Sequence, residues 1–270
     1  MDTSRLAVER AIIMMWNHYD EPLSLDEIAD SAILSKFYFS RVFRSVTGTS
    51  PGRFLTAIRL SRAKNLLQET TLTVTDIAYM VGYNSLGTFT TRFTRSVGVS
   101  PTRFRSLSHS GLPALPRPEV SAPGGSGTVH GTLTLPPSNT PLRIYVGAFE
   151  GPVVEGLPAS CDVLDIHADG CRALEYRLGA VPIGQWYVRA TAVAVDWSES
   201  VSRPDARKPV FVGSSKPVVM RADIAVKLGI RMRATNTIDL PILLALPELD
   251  NRLPPGPMQN TSRATRLVLR

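Results

Sequence analysis

The chain has 270 residues, of which 30 are Lys or Arg and 23 are Asp or Glu, giving a formal net charge of +7, and 43% of its residues are hydrophobic. That length fits two domains, each able to bury a core, and the apolar fraction excludes a wholly disordered chain. No apolar run approaches the ~18 residues of a membrane-spanning helix.

Asp2, Glu9 and Arg10 around the first apolar stretch, with no small-residue cleavage site, argue against a secretory signal. Two cysteines cannot build a disulfide scaffold or a four-cysteine zinc site. The four histidines, none within i,i+4 reach of another, offer no His-rich metal centre. The expectation is a soluble, cytoplasmic protein with no cofactor, no bound metal and no membrane partner. Its basic excess is spread over both halves, so charge permits nucleic-acid binding without demanding it.

In chain order, the first half reads as helices. Apolar residues recur at three- and four-residue spacing, as Leu6, Ile13, Trp16 and Tyr19 and then Leu55, Ile58, Ala63, Leu66 and Leu67. Residues 108–127 break that rhythm with four prolines and four glycines, a composition suited to a linker. Beyond it the period falls to two. The runs VHGTLTL, PLRIYVGAF, ALEYRLGAV, QWYVRATAVAV, PVFVG, DIAVKLGIRMRA and PILLAL read as strands between Pro, Gly, Asn and Asp clusters. Residues 249–270 are polar and Pro-containing and read as a flexible tail. The expected organisation is an all-α domain over 1–107, a linker over 108–127 and an all-β sandwich of about seven strands over 128–248.

A repeat within the helical half carries the most information. The segments LSLDEIADSAILSKFYFSRVFRSVTGTSPGRF and LTVTDIAYMVGYNSLGTFTTRFTRSVGVSPTRF superpose at an offset of 50, which brings Phe39, Phe43, Gly48, Pro51 and Phe54 over Phe89, Phe93, Gly98, Pro101 and Phe104. Upstream, Ile28-Ala29 matches Ile77-Ala78 at an offset of 49, so the second unit has one more residue in its turn. Each unit reads as two helices around a turn. Ser24, and Thr73 or Thr75, are placed to cap the first helix. Ile-Ala supplies its buried face, and the second helix buries its two phenylalanines one turn apart. Gly48 and Gly98 stand where a left-handed cap is expected, and Ser-Pro follows as a stop. Between the units, RFLTAIRLSRAKNLLQET reads as a long amphipathic helix able to hold them in fixed relation. Two recognition helices about 34 Å apart enter successive major-groove turns on one face of a duplex.

On these motifs the chain resembles the AraC/XylS family of bacterial transcription regulators, over residues ~5–105. The resemblance implies seven helices carrying two helix-turn-helix units, with double-stranded DNA as partner and RNA polymerase or another transcription component as a second. Carried over by position, it places base contacts at Phe37, Ser40 and Arg41 in the first unit and at Leu86, Gly87, Thr90 and Thr91 in the second. Arg41 is the strongest of these, because a bidentate arginine–guanine pair discriminates by about 1–3 kcal/mol. Ser35 and Ser85 at the helix entries, with Lys36, Arg44, Arg95 and Arg103, suit phosphates. The sequence departs from the family in having Ile33 where the first turn usually has glycine, whereas Gly82 is regular in the second. The second recognition helix is also poor in long polar side chains, which implies reading of shape and backbone more than base identity. The DNA-binding domain comes first here, an order found in a minority of members.

Phrases of the β half resemble prealbumin-like and carboxypeptidase-regulatory-like sandwiches. It is read as an effector-sensing or protein-contact module, with a small-molecule effector left open. Trp186, Tyr187 and Trp197 are expected in packing. Arg177, Arg189, Arg231 and Arg233 alternate with apolar neighbours and form either a solvated face or a basic pocket for an acidic effector. Cys161, His167 and Cys171 lack a fourth ligand and CxxC spacing, so two reduced structural thiols are expected. Asp162, Asp165 and Asp169 lack the glycine and terminal glutamate of a calcium loop.

The rival reading is a β-sandwich small-molecule-processing enzyme fused to a DNA-binding module, since the prealbumin-like superfamily includes a purine-pathway hydrolase with a Tyr-Arg-Gly-Ser end. This chain ends in RATRLVLR and offers no constellation of acid, base and nucleophile, so it is read as a regulator and not as an enzyme, with no catalytic residues.

Overall fold

The computed structural model describes residues 3–110, 125–166, 173–195, 209–246 and 249. Among them, seven helices precede nine strands: α1 Thr3–Asn17, α2 Leu25–Ser31, α3 Lys36–Thr47, α4 Pro51–Glu69, α5 Val74–Met80, α6 Leu86–Val97, α7 Pro101–Ser110, then β1 Ser126–Thr134, β2 Leu142–Phe149, β3 Ser160–Ile166, β4 Ala173–Pro182, β5 Gly184–Ala194, β6 Pro209–Ser214, β7 Val218–Met220, β8 Ala225–Lys227 and β9 Ile230–Ala234. Residues 111–124 of the expected linker lie outside the described residues, as do residues 250–270 of the expected tail. No helix among the described residues is long and apolar enough to cross a membrane.

Local chemistry sets the helix ends. Ser24 and Glu27 close a reciprocal capping box at α2, and Thr73, rather than Thr75, closes one with Asp76 at α5. The Ser24 bonds hold the Glu27 carboxyl below its ordinary range. Gly48 and Gly98 end α3 and α6 in the left-handed region, at φ 77° and 94°. The following Ser-Pro pairs do more than stop those helices. Ser50 caps α4, Pro51 occupies its first turn, and the Ser100 hydroxyl accepts from the Arg103 amide at 3.2 Å as α7 begins.

The 19-residue α4, roughly 28 Å long, is not amphipathic in the one-faced sense its sequence suggested. It buries two faces. Phe54, Leu55 and Ile58 enter a first core with Ile28, Phe39 and Phe43, while Ala57, Leu60, Ala63 and Leu67 enter a second with Ile77, Phe89 and Phe93. Each core holds the same aromatic motif: Phe43 meets Phe54 edge-on at 5.5 Å, and Phe93 meets Phe104 edge-on at 5.8 Å. Fully burying each ring is worth about 1.5–3 kcal/mol, so α4 is the common wall that fixes both units.

The β half is described by nine strands instead of about seven, and they form one hydrogen-bonded path, β3-β2-β5-β6-β9-β1-β4, with β7 on β5 and β8 on β1. A two-sheet sandwich was expected. Instead the path curls into a nearly closed, barrel-like sheet, because its two end strands meet without a backbone ladder. Buried Ser160 on β3 donates to the Gly179 carbonyl on β4 at 2.6 Å, and the Asp162 carboxylate accepts from the Arg177 amide at 2.9 Å. Those two side chains replace ladder bonds at the seam. The alternation pattern passes over β3, since SCDVLDI carries two aspartates; Asp165 is satisfied by a two-pronged pair with Arg143 at 2.7 and 2.9 Å. The run DIAVKLGIRMRA splits at Leu228-Gly229 into β8 and β9, both running parallel to β1. Trp186 is buried in the barrel core and donates to the Pro182 carbonyl at 2.6 Å, and Tyr187 is half-buried. Cys161 packs on β3 beneath Tyr145 and Phe149. Trp197, His167, Asp169 and Cys171 lie outside the described residues.

PILLAL is not a strand of the sheet. Residues 236–246 cross between the two halves as a strap, with Ile238 and Leu240 on the helical cores and side chains that alternate in allegiance over 242–246. Leu243 and Ala245 enter the second helical core, whereas Ile242, Leu244 and Leu246 pack on Tyr145, Phe149 and Val193 of the barrel. The period of two read from the sequence is real, but it reports two apolar surfaces facing one extended segment.

Candidate nucleic-acid interface

Both turns hold a residue at positive φ. Gly82 sits at 80° and Ile33 at 59°, so Ile33 takes up the left-handed conformation of the glycine turn with a β-branched side chain that disfavours it. The Ile33 side chain escapes crowding by being 78% exposed. Gly82 has no such room: a Cβ there would lie 2.8 Å from the Asp20 carbonyl oxygen and 3.0 Å from that of Tyr19. Arg59 braces this corner from α4, donating to the carbonyls of Tyr19 at 2.6 Å and Glu21 at 2.7 Å. Burial lowers its pKa, with Tyr83 and Asp20 opposing. Arg105 braces the other end of α4, donating to the Leu72 carbonyl at 2.6 Å.

With Phe39 and Phe43 buried, helical spacing puts Phe37, Ser40, Arg41 and Arg44 on one outward stripe of α3. Phe37 is 81% exposed, Arg41 and Arg44 are exposed, and Ser40 is half-buried. Arg41 lies over the Tyr38 ring at 5.5 Å, which directs its guanidinium along the helix. Lys36 pairs with Asp26 of α2 at 3.2 Å. Ser35 begins α3 in extended backbone without a side-chain cap bond. These residues form one basic and aromatic surface.

The corresponding stripe of α6 is milder. Leu86, Gly87 and Thr91 are exposed, Thr90 is half-buried, and Phe89, Phe93 and Val97 are fully buried. The Ser85 hydroxyl accepts from the Thr88 amide at 3.4 Å, so it caps the helix. Arg103 is half-buried on α7. Arg95 stands apart: its guanidinium lies 3.3 Å from the Glu155 carboxylate in the β2–β3 loop, which also meets Arg53 at 3.6 Å.

That loop docks on the end of α6. The Gly156 amide donates to the Ser96 carbonyl at 3.0 Å, and the strap's Ala245 amide donates to the Val97 carbonyl at 3.1 Å. Lys64 of α4 reaches under the strap and donates to the carbonyls of Ile242 at 3.1 Å and Leu244 at 3.0 Å, with its ammonium 5.5 Å from the Phe104 ring centroid. Burial of that ammonium pushes its pKa down to about 7. Nothing in the local sequence around Glu155, Lys64 and Arg53 signals these roles. Their partners lie far away along the chain, and no local spacing encodes such pairs.

Comparison with known proteins places the likeness in this helical region. Residues 28–106 match the family model described as a helix-turn-helix domain. The chain is 36% identical over 97 residues to the transcriptional regulator Rob of Salmonella typhimurium, covering 36% of this chain and 34% of that one. It is 37% identical over 95 residues to the transcriptional activator RhaS of an Enterobacter species, covering 34% of each. The chain therefore spans about a third of the length of the curated relatives it matches. Among solved structures, the C-terminal domain of AraT, a response regulator from Geobacillus stearothermophilus, is 35% identical and covers 37% of this chain and 83% of its own, with a TM-score of 0.36. The DNA-binding domain of AdpA in complex with a target DNA is 27% identical and covers 44% and 99%, with a TM-score of 0.37.

Proposed function

We propose, from the premise that residues 28–106 are a helix-turn-helix domain of the AraC type, that the chain is a sequence-specific regulator of transcription that binds double-stranded DNA. The observation that carries this reading is the doubled unit on a common wall. α3 and α6 each bury a phenylalanine pair against α4 and turn the opposite stripe to solvent. In this reading the two helices enter adjacent major-groove segments. Phe37, Ser40 and Arg41 contact bases in one, and Leu86, Gly87, Thr90 and Thr91 follow groove shape in the other. Ser35, Lys36, Arg44, Ser85, Arg95 and Arg103 hold phosphates. RNA polymerase or another transcription component is the second partner. The barrel-like half serves as the sensing or contact module, a role favoured by its docking on α6 and on the strap.

A fluorescence-anisotropy titration of the full chain on a genomic fragment library tests the reading. The expected result is an enriched site with two half-sites about one helical turn apart and an affinity that falls steeply with salt. Absence of any enriched site, together with salt-insensitive affinity, would overturn it.

A further inference from the structure

The two halves of the molecule enclose between them a cavity of about 860 Å³, within the range of small-molecule sites. Arg53, Arg92 and Arg95 reach it from the helices, and Arg189, Arg231 and Arg233 from the barrel. Among the described residues two carboxylates face those six arginines, and both are engaged: Glu155 by Arg53 and Arg95, and Asp239 by a two-pronged pair with Arg233 at 2.8 and 2.5 Å. Among the described residues no carboxylate pairs with Arg92, Arg189 or Arg231. Arg92 spends one donor on the Thr56 hydroxyl at 3.4 Å, and Arg189 spends one on the Pro152 carbonyl at 2.6 Å. The Arg189 Nε is buried and has no hydrogen-bond partner among the described residues.

A guanidinium cannot shed its charge, so positive charge confined in a partly enclosed space calls for an anion. The wall also has an apolar share, including Val153, Val212, Met232, Leu240 and Leu243. A bare inorganic ion would leave that share unused.

We infer that this interdomain cavity binds a small organic polyanion, with two or more carboxylates or phosphates on a compact apolar body, held by arginines of both halves. Arg189 and Arg231 supply its charge-assisted hydrogen bonds from the barrel side, and Arg92 supplies them from α6. Because both halves contribute, the ligand bridges them and stabilises their docked arrangement. The assignment deepens the sensing role proposed above and rests on it for its consequence, though binding itself needs no DNA.

Calorimetric titration of the full chain at low ionic strength tests it, with benzene-1,3,5-tricarboxylate and pyrophosphate as probes and benzene-1,3,5-tricarboxamide as the neutral control. The tricarboxylate is expected to bind one-to-one and the amide not at all. Binding should weaken at least ~10-fold, the scale of one lost charge-assisted contact, in the Arg189→Gln/Arg231→Gln double variant. The charge-matched Arg177→Gln/Arg221→Gln variant should bind like the parent. The exposed Arg231→Gln change alone gives a second reading should the double variant fold poorly. Pyrophosphate binding with the same variant pattern extends the accepted anionic groups to phosphates, and tricarboxylate binding without it narrows the class to anions carried on an apolar body. No tricarboxylate binding, binding of the amide, or equal weakening in both double variants overturns the site. An anion that binds without changing DNA affinity leaves the site standing and removes the sensing role. DNA binding that persists in a chain indifferent to both anions removes the site and leaves the DNA reader.

Discussion

Leu157 of the barrel closes on Gly98 at the end of α6 so tightly that a Cβ on the glycine would lie 2.6 Å from the leucine Cγ and 2.9 Å from its backbone nitrogen. Gly48, at the same position of the first unit, has no described residue within 4 Å of such a Cβ. The two glycines share one backbone conformation and differ in what surrounds them. Glycine at 48 answers only to the helix cap, and glycine at 98 also answers to interdomain packing. Gly48→Ala is therefore expected to cost only the left-handed penalty, about 1–2 kcal/mol, in denaturant unfolding. Gly98→Ala carries that penalty and in addition pries the β2–β3 loop off α6. Small-angle scattering should show expansion for Gly98→Ala and none for Gly48→Ala.

The two turn positions give an opposite pair of outcomes. Ile33 holds φ 59° with its side chain in solvent, so Ile33→Gly removes strain at little loss of packing and should raise stability by about 1 kcal/mol, net of the entropy that glycine adds to the unfolded chain. Gly82→Ala drives a methyl group into the carbonyls of Asp20 and Tyr19 and to within 3.1 Å of the Arg59 guanidinium carbon. It should destabilise by more than Ile33→Gly stabilises, as read by urea midpoints. Equal and small shifts in both variants would show that the turns tolerate either residue.

These features also mark where sequence reading succeeds. The cap at Ser24, the left-handed glycines and the phenylalanine pairs lie within one or two helical turns of their partners, so spacing alone reveals them; at α5 spacing leaves Thr73 and Thr75 open, and the reciprocal bonds with Asp76 select Thr73. The one-residue difference in turn length, 32–35 against 81–85, was visible in the shift of offset from 49 to 50. β3 escaped because its aspartates find partners across the barrel seam, in Arg143 and the Arg177 amide. PILLAL reads as a sheet strand because alternation records which side of a chain is apolar and not what covers it. On the candidate interface, the α3 stripe could be read from the sequence. The capture of Arg95 by Glu155 could not, since 60 residues of chain separate them.

Glu155 engages two arginines of the helical half, one of them assigned to phosphate contact. Removing its charge should free both for DNA. Glu155→Gln is expected to raise affinity for non-specific duplex several-fold and to steepen the salt dependence by one to two counter-ions, of order 0.9 in slope for each. Base preference should stay as in the parent, because phosphate contacts carry no sequence information. Anisotropy titrations at several salt concentrations check all three, and unchanged affinity with an unchanged slope would show that Arg53 and Arg95 do not face the duplex.

On α3, Arg41 and Lys36 should separate specificity from affinity. Arg41→Ala is expected to relax base preference in one half-site by about 1–3 kcal/mol, leaving the other half-site as before. Lys36→Ala, which also breaks the pair with Asp26, should weaken all sequences alike and lower the salt slope by about one. Retention of the parent's base preference in Arg41→Ala would place direct readout elsewhere than on that stripe.

Lys64 gives the docked arrangement a dependence on pH whose direction is fixed by its surroundings. Under the strap its pKa falls to about 7 from the ordinary 10.5, because desolvation penalises the charged form. Between those values the unfolded chain holds a proton that the folded chain has released, so the contribution of this group to stability rises with pH. The slope approaches about 1.4 kcal/mol per pH unit at most. On lowering the pH, the contribution is fully present above 10.5 and is lost by about 7, below which Lys64 adds no further dependence. The neutral amine keeps two N–H donors, enough for the carbonyls of Ile242 and Leu244. Lys64→Met removes the titration and strands both carbonyls. Urea unfolding from pH 6 to pH 9.5 should therefore show the parent gaining on the variant as the pH rises. A constant difference between the two across that range would mean that Lys64 keeps its proton while the strap is docked, and that the carbonyls of Ile242 and Leu244 stabilise an ammonium instead of an amine.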